Sequence, residues 1–473
     1  MMSGDGMRRV ASAFAILCAG SLSACSSGPI GAVAGVFGGD DEEKKGEENA
    51  PEEEQRISIL ALDDTLEADP RLAGTAITLP PAYENVSWPQ PGGEADHTLH
   101  HLQSAVNLEK VWSADIGSGG KREILTAPPV VADSKLYIID SEARVSAFDA
   151  KTGKRLWRTE LTPKIKEKFR VREILSGPDA GEIGFGGGVA YDNGRLYVTS
   201  GFGFAAAVDA ATGEELWRTP TDAPVRTPPT AYRGAVYFVT NTNEFVALDA
   251  STGGEKWNHH SFEESARILS SASPAAAGDL VVAPFSSGEL GAFLADSGRV
   301  VWKETLARNT RLTSLAALND IAGSPVIDRG LIYVVSHAGQ LAAIDIRTGN
   351  RVWEIPVASL QMPWVAGDYV FIVSVDGELA AIERESGAIA WVSKLKRYDN
   401  EKKRKGRIAW AGPVVAGDHL VLVSTRGRIV KISPQDGSIV AQEEIGDSYI
   451  VPPIVADQMI YVLSDTGRLT ALR

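Results

Sequence analysis

Cysteine is almost missing from this 473-residue chain: there are two, Cys18 and Cys25, both close to the N-terminus. Everything after them therefore lacks a disulfide framework and any thiolate metal site, and its stability must come from a packed core. Histidine is scarce as well, at seven residues. His97, His100 and His101 lie in a polar entry segment without carboxylate or Cys partners at ligand spacing, and His259, His260, His337 and His419 read as loop and surface positions. The apolar run Val10 to Leu22 is too short to cross a bilayer as a helix. Positive charge is in deficit, with a formal net charge of −14, which argues against nucleic acid as a partner. Catalytic signatures are absent too. Gly186-Gly187-Gly188 precedes a strand and opens no helix, so it is no dinucleotide fingerprint. No Ser sits in a strand-to-helix elbow, and no carboxylate pair stands out above Asp residues that recur once per repeat. The chain reads as a non-enzyme.

What the chain does have is a repeat. Pro128 to Trp157 reads as four short strands: Val130-Val131, Leu136-Tyr137-Ile138, Val145 to Phe148 and Leu156-Trp157. Asp149 to Gly153 is a turn in which Asp can hydrogen-bond the backbone ahead and Gly can take positive φ. The same order returns through Asp209 to Trp217, Asp249 to Trp257, Asp296 to Trp302, Asp345 to Trp353, Ser386 to Trp391 and Asp436-Gly437, where Ala441 takes the Trp position. A last unit, Pro453 to Leu472, lacks its fourth strand, and Leu108 to Trp112 is an orphan of that pattern. One unit cannot bury both faces, and open sheet edges invite aggregation. The expected fold is therefore all-β: an eight-bladed β-propeller of four-stranded blades, its last blade closed by the N-terminal strand beside Leu469 to Leu472. The recurring Trp is expected to pack between blades.

Ahead of the ring, Arg8-Arg9, the Val10 to Leu22 run and Leu22-Ser23-Ala24-Cys25 describe a bacterial secretory signal. Met7 directly precedes the basic pair, so Met1 and Met7 both stand as starts. Leu22 to Cys25 also resembles the lipobox of bacterial lipoproteins, which implies lipidation of Cys25. Ser26 rather than Asp follows, and the resemblance then implies an outer-membrane anchor facing the periplasm. Residues 40–54 are charge-dense and acidic, the composition of a disordered spacer. The expected organisation is residues 1–24 signal peptide, 25–79 lipidated, acidic, largely disordered tether and 80–473 propeller. Ile57 to Leu79 reads equally as a short helix or a segment docked on the ring, and Tyr83 to Gln90 as packing across it. Two stretches break the spacing: Thr162 to Ile183, and the basic Lys394 to Arg407, which suits phosphates, lipid headgroups, an acidic partner or plain solvent.

The unit of apolar strand, Asp-x-x-Thr-Gly, short strand and Trp resembles the PQQ-type (quinoprotein) propeller repeat. With a lipobox and eight units, the chain from about Asn85 onward is similar to the BamB family, propeller lipoproteins of the outer-membrane β-barrel assembly machinery. The resemblance implies a non-catalytic scaffold without cofactor, monomeric within a complex. It would bind the periplasmic POTRA domains of the barrel subunit BamA and aid insertion of outer-membrane proteins. The family's partner surface uses two loops between blades. A Leu-x-Leu-Arg run there is matched by Ala266-Arg267-Ile268-Leu269 ahead of Ser271 to Pro274, with the residues in a different order. An Asp-Val-Asp run is matched by Asp320-Ile321-Ala322 ahead of Pro325, with the second Asp lost. The implied partner-binding residues are Arg267, Ile268, Leu269 and Asp320. Two alternatives remain. One is a propeller lipoprotein for another envelope component such as peptidoglycan. The other is a PQQ-dependent dehydrogenase, which would need a Trp platform, calcium ligands and an Asp base that are not evident in the ring.

Overall fold

The computed structural model describes residues 66–473 except 106, 118, 120–124, 164–185, 263–271 and 307–319. The signal, Cys25 and the acidic tract lie outside the described residues. The remainder forms eight four-stranded antiparallel sheets and one two-stranded hairpin. We number the sheets as blades 1 to 8 in chain order: residues 130–160, 187–220, 230–260, 275–305, 326–355, 364–394, 410–444 and 454–472. They form the propeller ring that the repeat predicts. Blade 8 is completed by the N-terminal strand Lys110–Asp115, which pairs antiparallel with Arg468–Leu472, Asp115 opposite Arg468. Closure joins the two ends of the ring by backbone hydrogen bonds, including reciprocal ones between Glu109 and Arg473 at 2.9 Å.

Burial follows from the architecture. Second and third strands are sandwiched between neighbouring blades, and read as continuous apolar runs because both faces are covered; Ala235–Val239 is buried at every position. Fourth strands lie outermost and alternate, as in Glu255–His260, where Trp257 is the buried residue.

The blade-to-blade joint repeats one contact. Trp257 lies opposite Ala247 in its own blade, and its Nε1–H donates to the Ala295 carbonyl of the next blade at 2.9 Å. Its ring lies on Gly298, where an added Cβ would approach to 2.5 Å and where φ is +67°. Both conditions demand glycine. Six further Trp donate in the same way across a joint, from Trp112 to Ala150 through Trp391 to Pro434, at 2.8–3.2 Å. The receiving turn is fixed by its Asp: Asp249 accepts from the hydroxyls of Ser251 and Thr252 and from their N–H groups, which draw its carboxyl down to about 2. One joint departs from the rule. Blade 8 has no turn between third and fourth strands, since the chain ends at one and enters at the other. No glycine turn exists there to receive an indole, and blade 7 carries Ala441 opposite Lys431 where the other blades carry Trp opposite Ala.

The first strand of each blade faces the central channel with one unpaired edge. Residues 83–102 cross the channel and serve these edges in turn. Trp88 exchanges backbone hydrogen bonds with Val131 (2.6 and 2.8 Å), and Tyr191 N–H reaches Pro89. The Gln90 side chain pairs with both backbone groups of Ala231. Ala276 and Ile327 N–H groups bond the carbonyls of Ala95 and Asp96. In blade 6 the Trp364 indole Nε1–H donates to the His100 carbonyl, while Leu102 N–H donates to the Val415 carbonyl and Asp457 N–H to that of Asn85. All eight blades are touched at the ends nearest the turns between first and second strands, so the segment stops the channel at that face. Upstream, Leu66 and Ile77 are buried against the ring and a one-turn 3-10 helix, Pro70–Leu72, lies between them. From Leu66 on, the short helix and the docking are both present.

The joint sets a test. Trp257→Ala is expected to lower unfolding free energy by about 3–5 kcal/mol, and Gly298→Val by about 3 kcal/mol from strain and overpacking. Because both remove one contact, the double variant should cost clearly less than the sum in urea titrations. Additive costs would show that the indole and the glycine turn do not act together.

Candidate partner-binding face

The two ends of the ring differ. One carries the short turns between first and second and between third and fourth strands. The other carries the turns between second and third strands and every link from one blade to the next; we call it the loop face. The described ends of the long links, 161–163 and 186, 261–262 and 272–274, 306 and 320–325, and the whole of 395–409, lie there, because each link joins an outer strand to the next inner one.

At the centre of the loop face the channel opens into a cavity of about 290 Å³. Its floor is Trp88, stacked at 6.2 Å and 23° on Trp364. Its walls are links entering blades 5 to 8 and 1, among them Met362, Trp410, Pro413 and Ile450, with Leu360 42% exposed at the rim. Among the described residues no lining residue is charged. The chain has ten Trp, and seven serve the blade joints. The other three, Trp88, Trp364 and Trp410, all line this cavity. Sequence reasoning did not single them out. The available signal was subtraction: they are the Trp residues that do not keep the repeat register.

Of the residues implied as partner contacts, Arg267, Ile268 and Leu269 lie outside the described residues, in the link between blades 3 and 4. Asp320 is described. It opens the last part of the link into blade 5, is 4% exposed, and its carbonyl accepts the His337 N–H at 2.9 Å. Ile321 and Ala322 beside it are also buried. Asp320 therefore holds the root of its link rather than standing out from it. The structure brings Asp320 near the cavity rim, which Ala322 to Ser324 help to line.

The entry-segment histidines are structural. His97 is 2% exposed inside the channel stop, with Nδ1 2.7 Å from the Pro325 carbonyl and Nε2 3.4 Å from Ser273 Oγ. His101 Nδ1 meets the Pro80 carbonyl, and its Nε2 accepts the Asp418 N–H. Among the described residues no three His, Cys, Asp or Glu side chains come together as a metal site. The basic stretch is described and forms the hairpin Tyr398–Asn400 with Lys405–Arg407, standing on the loop face between blades 6 and 7.

Comparison with known proteins agrees with this architecture. A family model described as outer membrane protein assembly factor BamB matches residues 104–175, 141–393 and 394–473. The outer membrane protein assembly factor BamB of Yersinia pestis is 26% identical over 262 residues, 55% of this chain. The chain spans 64% of that relative's length. The crystal structure of BamB from Moraxella catarrhalis shares the fold with TM-score 0.63 and 20% identity, over 77% of this chain and 99% of that one. A europium-containing methanol dehydrogenase shares it equally, TM-score 0.63 at 15% identity, over 80% of this chain and 89% of that one.

The sequence left a PQQ-dependent dehydrogenase as an alternative, and the described lining of the cavity does not suit that cofactor. An anionic quinone with a bound cation needs carboxylates for the metal, cationic groups for the quinone and a base for the substrate. Among the described residues the lining supplies aromatic, Pro, aliphatic, thioether, hydroxyl and amide groups and no Asp, Glu, Lys, Arg or His.

Burial at the channel stop predicts a pH dependence. Desolvation pushes His97 from 6.5 down to about 4, outweighing the hydrogen bond to Pro325. The unfolded chain thus binds a proton between those values that the folded chain refuses. Stability contributed by neutral His97 is complete above 6.5 and falls with pH until about 4, by roughly 3 kcal/mol in all. Urea midpoints measured between those pH values should fall more steeply for the wild type than for His97→Gln; parallel curves would mean that His97 titrates normally.

Proposed function

We infer function from the premise that this chain belongs to the BamB family of outer-membrane protein assembly factors, whose model spans most of it. It acts as a non-catalytic scaffold of the outer-membrane protein assembly machinery. The ring presents its loop face to the POTRA domains of the barrel subunit BamA. Lipid on Cys25 holds it to the outer membrane on the periplasmic side.

The observation that carries this reading is the chemistry of the loop face. Protein interfaces are anchored by aromatic and apolar groups near the centre, with charged residues kept to the rim. The cavity floor of Trp88 and Trp364, the exposed rim residue Leu360 and an uncharged lining meet that description. The joints fix each blade to its neighbours, so the described part of the rim is preorganised and costs little ordering on association. In the link between blades 3 and 4, Ile268 and Leu269 are proposed as anchors and Arg267 as the polar contact beside them. Asp320, held at the root of its link, positions the neighbouring loop and does not itself reach the partner.

In intact cells, a photo-crosslinking amino acid at Ile268 or Leu360 should capture the POTRA-bearing subunit, and one at Asn193, on the opposite face, should not. Purified POTRA domains should bind Leu269→Asp at least about tenfold more weakly. Capture from Asn193 alone, or of a different envelope component from Ile268 and Leu360, would overturn the surface assignment.

A further inference from the structure

The hairpin between blades 6 and 7 has a neutralised base and an unneutralised tip. At the base, Leu395 and Ile408 are buried in the core. Leu395 N–H bonds the Gly377 carbonyl, Ile408 N–H that of Arg397, and Trp410 Nε1–H that of Lys396. Both acids of the hairpin are used there. Asp399 pairs with Arg426 at 3.0 Å and Arg428 at 3.6 Å on blade 7. Glu401 Oε1 accepts the N–H groups of Arg397 and Tyr398. Arg397 in turn pairs with Asp376, and Arg407 donates to the Val375 carbonyl. What remains is Lys396 and the run Lys402, Lys403, Arg404, Lys405, all exposed and, among the described residues, without an acidic partner.

We propose that this hairpin is a docking finger for the anionic phospholipid headgroups of a membrane leaflet. A protein partner is the poorer fit. Interfaces between proteins are depleted of Lys and need an apolar anchor, and the tip from Glu401 to Lys405 carries none. Three of its four adjacent cations are lysines, point charges without the planar fork that selects an oriented carboxylate pair. A cluster of such charges is what a headgroup layer attracts. The charge balance favours the choice: on a chain with net charge −14 this run is a concentrated basic patch, so attraction to an anionic surface there also orients the molecule. The segment that leads into the ring passes the root of the hairpin. Leu66 N–H bonds Glu378, whose other oxygen lies 3.9 Å from Lys394 Nζ at the hairpin's root. The inference is independent of the assembly role.

The test is co-sedimentation of the full chain, with Cys25→Ser so that no acyl chain contributes, with phosphatidylcholine vesicles lacking or containing phosphatidylglycerol. Binding is expected only where phosphatidylglycerol is present and should weaken as salt is raised. It should fall at least about tenfold in K402Q/K403Q/R404Q/K405Q and persist in K402R/K403R/K405R. An unchanged melting temperature for the quadruple variant shows that the ring is intact, as expected for exposed tip residues. Binding that ignores phosphatidylglycerol or survives the quadruple substitution overturns the proposal. So does a photo-crosslinker at Lys403 that captures an acidic protein and no lipid in cells. Since the assay contains no POTRA domain, its failure leaves the crosslinking result from the links untouched, and the converse holds.

Discussion

An indole lying on a glycine turn of the next blade is the contact on which this molecule depends. It joins units that share no backbone hydrogen bonds between their sheets. Each joint combines three demands at one point: a large ring opposite Ala in its own blade, a carbonyl placed to accept Nε1–H, and a turn bare of side chain beneath the ring. Trp257, Ala247, Ala295 and Gly298 show all three. Repetition of one geometry sets the angle between neighbours, and the accumulated angle sets the number of blades. The exception at blade 7 supports the account. Where the chain termini abolish the receiving turn, the indole is gone and Lys431 faces Ala441, so the large-small pair is reversed and not merely emptied.

A ring closed in this way creates a second problem at its centre, where eight inner strands turn unpaired edges toward a channel. Unsatisfied backbone groups there would be costly. The fold answers with a strap of ordinary backbone, residues 83–102, which bonds each blade in turn and stops the channel at the turn face. Positive φ at His97 and His100 bends it through the bore. What is left open is the loop face, so the position of the cavity follows from how the inner edges are satisfied.

The ring was legible in the sequence because its constraints are local and repeated. The Asp-turn-Gly-Trp spacing exposed the blades, and the missing fourth strand of the last unit paired with the orphan at Trp112 gave the closure. Ala441 was visible as an exception, but its cause was not, because that cause is the absence of a turn across the closing joint. The cavity was illegible for a related reason. Trp88 comes from the strap, and Trp364 and Trp410 from different registers of the inner strands of blades 6 and 7, so no common period links them and only the closed ring brings them together. Asp320 shows the limit of motif matching. Its place in a loop could be read from the sequence, but its burial depends on packing against blade 5. Likewise the basic stretch gave its charge but not its pairing, since Asp399 finds Arg426 and Arg428 only after blade 7 has folded behind it.

The same scaffold carries dehydrogenase chemistry in other proteins of this shape, so the blades do not decide function. The links do. Each is inserted between an outer strand and the next inner one, where added length disturbs no joint, and each leaves and re-enters the ring on the same face. Rim positions are therefore independent of one another. The links between blades 3 and 4 and between 4 and 5 carry the stretches matched to partner binding, and the basic hairpin stands between blades 6 and 7, two blades further round a ring of eight. That is a quarter turn. A partner seated on the first pair need not cover the second, while the joints between them hold the two at a fixed separation. A rigid ring is useful as a scaffold for that reason: surfaces of different chemistry can be changed separately while their relative placement is kept.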